Sequence, residues 1–351
     1  MNVSRVLAPL LAIMVAACAA PSATPPAAPL VAAPDVPRSA QPLVQDPAAF
    51  RFVIVGDRTG GHRAGVFERA MEQINLLQPD FVLSVGDHIE GYTEDRAELA
   101  RQWQEIADAV GKLQMPYFHV VGNHDMGNET MRAVWRQRLG RDYYHFRYRD
   151  VLFLALNTED PPVLRPGRES FSTAKADEKG YALFRQAVAL MQNDPEEARR
   201  AARTDPALAR VMKILQDLDK VAISAEQVAY VREALAANAD ARWTVLLLHK
   251  PAWKYDSPEF RQIEAMLGDR PYTVVAGHLH YYSLASRNGR DYIQMGTTGG
   301  TLDTHPPGPG TMDHVMWVTM TAKGPEIANI RLDGLLDRCG AEGCTRPTVA
   351  H

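Results

Sequence analysis

The stretch of this chain best equipped for chemistry is Tyr117–Asp125, an apolar run that ends in Gly122 and then Asn123, His124 and Asp125. Asn123 and His124 offer lone pairs to a hard or borderline metal, and imidazole is also the usual proton donor near neutral pH. Alone, Gly-Asn-His-Asp is a weak signal, because Asn and Asp after Gly are ordinary turn residues. Other apolar runs stop in the same way, at Asp57 after Gly56, at Asp87 after Gly86, at His249, and at His278 and His280 after Gly277. Each has a bland explanation when taken singly, as a turn aspartate or a satisfied surface histidine. Chance is a poor explanation of all of them together. Oxygen and imidazole donors without thiolate suit Mn, Fe or Zn. Two ions about 3.5–4 Å apart need a bridging carboxylate and further ligands around each, and this set can supply them.

The elements that must position these residues alternate. Arg51–Asp57 reads as a buried strand, Ala64–Leu77 has helical spacing, and Phe81–Val85 is a second strand. Thr93–Lys112 is a charged helical stretch, and Pro116 opens the third strand. This order implies parallel β-α-β units with ligand sites at the carboxyl ends of the strands, so Asp57, Asp87 and Asn123 should cluster. Tyr143–Tyr148 and Val151–Asn157 read as a hairpin. Between Thr158 and Val221 the strand pattern gives way to short helices, Ala182–Met191, Pro195–Thr204 and Ala207–Leu218, read as a lid or packing subdomain inserted at about 159–222. Ser224 with Gln227 resembles a capping box. Strands return at Trp243–Leu248 and Tyr272–Ala276. A hairpin follows around Asn288-Gly289, and Val315–Met320 and Ile327–Leu332 close the chain.

In order along the sequence, Gly56-Asp57-Arg58-Thr59, Gly86-Asp87-His88, Gly122-Asn123-His124-Asp125, His249 and Gly277-His278-Leu279-His280 resemble the motifs of the calcineurin-like metallophosphoesterase superfamily. The resemblance covers about Phe50–Leu332, less the insertion. It implies an α/β fold, a four-layer α/β/β/α sandwich of two mixed sheets. Carried over residue by residue, it implies that Asp87 bridges two metal ions. Asp57 and His280 would hold the first ion, and Asn123, His249 and His278 the second. His124 would contact the phosphoryl group and protonate the leaving oxygen, while a metal-bridging hydroxide attacks phosphorus in line. The partner implied is a small phosphorylated substrate, a phosphomonoester or phosphodiester.

Thr59 stands where the family's first-motif histidine would be. Glu90, three residues after Asp87, occupies a position that the superfamily uses in two ways. A Tyr there ligates the first metal in purple acid phosphatases, and an Asp there hydrogen-bonds the catalytic histidine in phosphoprotein phosphatases. Glu90 is expected as a ligand, which would favour Mn or Fe over Zn. Arg58 is a candidate to reach a phosphate, with a structural arginine the equal alternative. His88 should point away by strand alternation. His62, His119, His145 and His314 have no partner motif and are read as structural. Trp253 and Tyr255 are candidates for the pocket rim, and the Gly/Thr/Pro loop Gly296–Gly310 for shaping substrate access. The alternative to an enzyme is a domain that keeps the fold and binds a phosphorylated ligand or partner. A metallo-β-lactamase-like hydrolase fails, since it needs an early His-x-His-x-Asp-His run.

The 351 residues are 46% hydrophobic and 23% charged, the composition of a globular protein, and the net charge of -4 argues against a dedicated nucleic-acid binder. Residues 1–18 read as a signal segment: Arg5 supplies the positive start, Val6–Ala17 is the apolar core, and Val15-Ala16-Ala17-Cys18 resembles a lipobox. Residues 19–49 are Ala/Pro-rich and read as an extended tether. The expectation is an exported bacterial lipoprotein, periplasmic or anchored at the outer membrane. Residues 333–351 form a polar tail in which Cys339 and Cys344 favour a local disulfide.

Overall fold

The computed structural model describes residues 46–162, 183, 186–187, 190–191, 195–218, 220–303 and 307–336. The chain divides after Pro47, and the elements below belong to the unit that begins at Ala48. The signal segment with Cys18, the tether up to residue 45 and the Cys339–Cys344 pair lie outside the described residues. No helix among the described residues is long and apolar enough to cross a membrane.

One sheet is built from β1 (Phe50–Val55), β2 (Phe81–Ser84), β3 (Tyr117–Phe118), β10 (His314–Thr321) and β11 (Gly324–Arg331), in the order β11-β10-β1-β2-β3. β1, β2 and β3 are parallel, and β10 runs antiparallel to β1 with Phe50 opposite Met320. The other sheet holds β4 (Tyr144–Tyr148), β5 (Val151–Ala155), β6 (Trp243–Leu247), β7 (Tyr272–Ala276), β8 (Ser283–Arg287) and β9 (Arg290–Gln294), in the order β4-β5-β6-β7-β9-β8. β5, β6, β7 and β9 are parallel there, with an antiparallel strand at each edge.

Period-two alternation sorts the side chains into layers. Phe50, Phe52 and Ile54 of β1 meet Val151, Phe153 and Ala155 of β5 and Val245 and Leu247 of β6 in the core between the sheets. Val53 and Val55 face outward onto α1 (Val66–Leu77), with Phe67, Ala70 and Ile74. On the far side, Leu152, Leu154, Leu246 and Val274 pack against α6 (Ala225–Ala237) and α7 (Pro258–Leu267). The result is the four-layer α/β/β/α sandwich expected from the sequence.

The other α-helices whose bounds fall among the described residues are α2 (Arg96–Val110), α3 (Glu129–Arg138), α4 (Pro195–Thr204) and α5 (Pro206–Leu218). The last two belong to the insertion, where Ala198, Leu208 and Met212 join Ala187 in a small core of their own. Three features differ from the sequence reading. β3 is only two residues long, because the amide of Val120 donates to Ser84 Oγ (2.9 Å) rather than to a strand carbonyl. α3 has no counterpart in that reading, although Asn128 caps it through the Met131 amide (2.9 Å) and Met131, Val134 and Trp135 give it a buried face. Only half of the expected capping box forms. Ser224 Oγ accepts from the Gln227 amide (3.1 Å), but the Gln227 side chain instead clamps Asn157, accepting from its N–H and donating to its C=O.

Candidate metal centre

Asp57, Asp87, Asn123, His249, His278 and His280 each lie in a loop that follows a parallel strand, and at three of them the backbone turns sharply. Asp87, His278 and His280 have φ of 59°, 75° and 53°. Non-glycine residues rarely hold this left-handed conformation, which persists where the surroundings over-determine it. The chain can pass there only because Gly86 (φ 100°) has no side chain: a Cβ would lie 2.8 Å from His249 Nδ1 and from the Gly122 backbone.

The buried carboxylate of Asp125 fixes the two loops against each other. Its Oδ2 accepts from the amides of Asp87 (2.9 Å) and Gly122 (3.0 Å), and its Oδ1 from those of His88 (2.8 Å) and Ile89 (3.2 Å). The His88 ring completes the set, with Nδ1 2.9 Å from Oδ2, and so turns away from the ligands as strand alternation predicts. The sequence reading gives Asp125 no such task. Its signal was the turn position itself, where Asx side chains bond nearby amides.

One group of donors gathers around His249, which is fully buried. Its Nδ1–H donates to the Val85 carbonyl (2.7 Å), so Nε2 presents its lone pair to Asn123 Oδ1 at 3.0 Å and Asp87 Oδ2 at 3.1 Å. His278 joins them: ligand atoms of Asp87, His249 and His278 all lie within 4.8 Å of one another. Lone pairs facing one another across about 3 Å need a cation or a proton between them, and a carbonyl-anchored imidazole is how metal-binding histidines are usually oriented. In the protein alone a proton takes that place. Burial opposes a charged His249 ring, but the Asp87 and Asp57 carboxylates outweigh it and push the ring up to about 9. Burial alone would raise Asp87, yet His249 and His124 hold it well below the ordinary carboxylate range.

A second group is built on Asp57. Its Oδ2 accepts from the His278 amide (2.8 Å) and lies 3.2 Å from His280 Nε2, while Oδ1 is buried with no hydrogen-bond partner. His280 repeats the device of His249, with Nδ1–H donating to the Thr301 carbonyl (2.8 Å). The first half of the Gly296–Gly310 loop, the candidate for shaping substrate access, takes part in this anchoring. The Thr297 hydroxyl (2.7 Å) and the Thr298 (2.9 Å) and Gly300 (3.0 Å) amides all donate to the Asp57 carbonyl. Thr59, in the place of the missing histidine, is buried with an unpartnered Oγ1. The donor chemistry and the two unpartnered oxygens fit metal ions, with Asp87, Asn123, His249 and His278 on one side and Asp57 and His280 on the other.

His124 is held without being consumed. Its amide donates to Asp87 Oδ1 (2.9 Å) and its Nδ1–H to the Glu90 carbonyl (2.9 Å), so Nε2 is the ring nitrogen that neither bond uses. Glu90 thus orients His124 through its main chain. Its carboxylate has another task, with Oε1 accepting from the amides of Gly61 (3.2 Å) and His62 (2.7 Å) and so pinning the loop after Asp57.

Arg58 requires a correction. Its guanidinium is buried and engages the His88 carbonyl (3.1 Å), Glu68 (3.3 Å) and Glu105 (3.4 Å), so it is committed to carboxylates rather than offered to a phosphate. Arg58, Glu68, Glu90 and Glu105 line a charged cleft of about 480 Å³ to which none of the six ligand residues contributes. Trp253 and Tyr255 do not rim the site either. They pack against the outer core, Trp253 with its ring 5.2 Å from Tyr292. Of the histidines read as structural, His145 bonds Tyr230 (2.7 Å), His119 contacts His88 (3.3 Å) and His314 accepts from the Gly296 amide (2.9 Å). His62 enters the loop pinned by Glu90.

The sequence profile of the calcineurin-like phosphoesterases matches residues 50–282 of this chain. No curated protein matches it. Among solved structures, a dimetal phosphatase from Danio rerio is similar over 81% of this chain and 99% of its own, at 15% identity and a TM-score of 0.50. GAP50, the anchor in the inner membrane complex of Plasmodium, is similar over 82% of this chain and 86% of its own, at 13% identity and a TM-score of 0.50. At these identities the likeness is one of fold.

Proposed function

The chain belongs to the calcineurin-like phosphoesterase family, and on that premise we propose that it is a metal-dependent hydrolase of a phosphomonoester or phosphodiester. The observation that carries this reading is the turn of His249, whose Nε2 meets Asn123 Oδ1 and Asp87 Oδ2 because Nδ1 is tied to the Val85 carbonyl. Asp87, Asn123, His249 and His278 would hold one ion, and Asp57, His280 and Asp87 the other. When bound, such ions lower the pKa of water toward neutrality and neutralise charge on phosphoryl oxygens. The chain's own groups do the rest. Asp87 carries the negative charge that the two halves share, and the Val85 and Thr301 carbonyls keep both anchored imidazoles turned inward. His124, with Nδ1–H fixed by Glu90, offers Nε2 as the proton donor to the leaving oxygen. Metal cations would take over the phosphate binding for which a basic patch is otherwise needed.

A second reading, a domain that binds a phosphorylated ligand without cleaving it, is favoured by one observation: Thr59 in the first motif leaves the Asp57 half with a single imidazole. GAP50, named as an anchor, shows that a protein of this fold can be described by something other than catalysis. Metal analysis of the purified protein together with a panel of phosphomonoesters and phosphodiesters separates the readings. Bound Mn, Fe or Zn with turnover supports the hydrolase, metal without turnover on any ester supports the binding domain, and absence of metal refutes the hydrolase.

A further inference from the structure

One residue outside every motif touches the centre from the side. We propose that Tyr92 is a positioning residue: its hydroxyl decides which end of the Asn123 amide faces the metal site, and its ring holds that of His124. The inference rests on the metal-dependent reading above.

An asparagine amide has a donor end and an acceptor end of nearly the same shape. Only the oxygen can ligate a cation, so a flipped Asn123 would place N–H donors where a lone pair is required. Asn123 Nδ2 donates to the Tyr92 hydroxyl at 2.5 Å, while Oδ1 lies 3.0 Å from His249 Nε2. A phenol hydroxyl can donate or accept; here it accepts from the nitrogen, and with His249 Nε2 facing Oδ1 this pairing leaves the oxygen toward the site. The Tyr92 ring meanwhile packs on His124, with centroids 4.5 Å apart and planes at 56°. Tyr92 itself has φ of 49°, a costly conformation for a bulky side chain. Gly127 also lies against the ring, where a Cβ would come within 2.5 Å of it. A strained aromatic residue that reaches both a ligand and the proton donor is placed by its surroundings to hold them.

A carboxylate provides the test, because its two oxygens are equivalent and a flip changes nothing. Mn²⁺ binding to the metal-stripped full chain is measured by calorimetry for the wild type, Tyr92→Phe, Asn123→Asp and the double variant. Thermal unfolding of each metal-free protein serves as the control for folding. Tyr92→Phe should weaken Mn²⁺ binding on the order of 10- to 100-fold, the usual loss on removing an outer partner of a ligand. In the Asn123→Asp background the same change should cost clearly less, since no amide remains to be oriented and only the hydroxyl's own bond to a carboxylate oxygen is lost. Equal losses in both backgrounds, or no loss in the wild-type background, would overturn the role of Tyr92 while leaving the metal reading intact. A wild-type chain that binds no Mn²⁺, Fe or Zn overturns the metal reading, and this inference with it.

Discussion

Replacing Asp125 by Asn changes one atom of a fully buried side chain and should be among the most damaging substitutions in the domain. The carboxylate accepts from the Asp87, His88, Ile89 and Gly122 amides and faces His88 Nδ1. An amide nitrogen in place of Oδ1 would meet the N–H groups of His88 and Ile89. In place of Oδ2 it would meet those of Asp87 and Gly122, and only the His88 ring could adapt, by changing tautomer. Either way at least two hydrogen bonds to a charged acceptor are lost inside the protein, at about 1.5–3 kcal/mol each. The expected cost is therefore about 3–6 kcal/mol, a large share of the roughly 5–15 kcal/mol that stabilises a typical domain. Urea unfolding of the metal-stripped protein measures it as a fall in midpoint at unchanged slope. Asp95→Ala is the comparison. It removes the exposed cap of α2, where Asp95 accepts from Ala97 and Glu98, and should cost about 1 kcal/mol. An Asp125→Asn variant no less stable than Asp95→Ala would refute the claim that this carboxylate ties the two ligand loops together.

His124→Ala should keep the bound metal and lose roughly 10²–10⁴ in rate on esters with poor leaving groups, with a smaller loss on a nitrophenyl ester; equal losses on both would assign His124 to phosphate binding instead. Burial lowers the buried His314 to about 4, so the unfolded chain takes up its proton first as pH falls below about 6.5. Stability from His314 is thus full above about pH 6.5, falls by on the order of 3 kcal/mol down to about pH 4 and is flat below. His314→Gln should flatten that part of a stability–pH curve, and an unchanged curve would count against it. In cells, Cys18→Ser should abolish acyl labelling and either leave the precursor unprocessed or release an unlipidated form, whereas an unlabelled wild type would argue for a simple secreted protein.

Much of this fold could be read because its interior strands are continuous apolar runs and their ends carry unusual residues. Asp57, Asp87, Asn123, His249, His278 and His280 were found from residue type at a strand end, and the structure gathers them into two neighbouring groups. What escaped was whatever depends on orientation. Nothing in the sequence says that Arg58 turns toward Glu68 and Glu105, or that Glu90 serves His124 by its carbonyl and the Gly61–His62 amides by its carboxylate. Main-chain acceptors such as Val85 and Thr301 are equally silent, since every residue has a carbonyl. Tyr92 has no spacing signal at all. α3 was hidden for a different reason: it is polar on most of its surface, and only the Met131, Val134 and Trp135 stripe and the Asn128 cap betray it.

The pairing of Phe50 with Met320 has a consequence for how such a chain must be handled and folded. β1 becomes an interior strand only when β10 arrives, late in synthesis. Until then one of its edges presents open N–H and C=O groups beside Phe50, Phe52 and Ile54. Pairings this distant in sequence form slowly, and an open apolar edge invites another chain to complete it. The family match ends at Tyr282, short of β10. A chain ended there would retain all six ligand residues yet leave that edge permanently exposed, and it should self-associate rather than fold. The unit that can fold is longer than the unit that can be recognised.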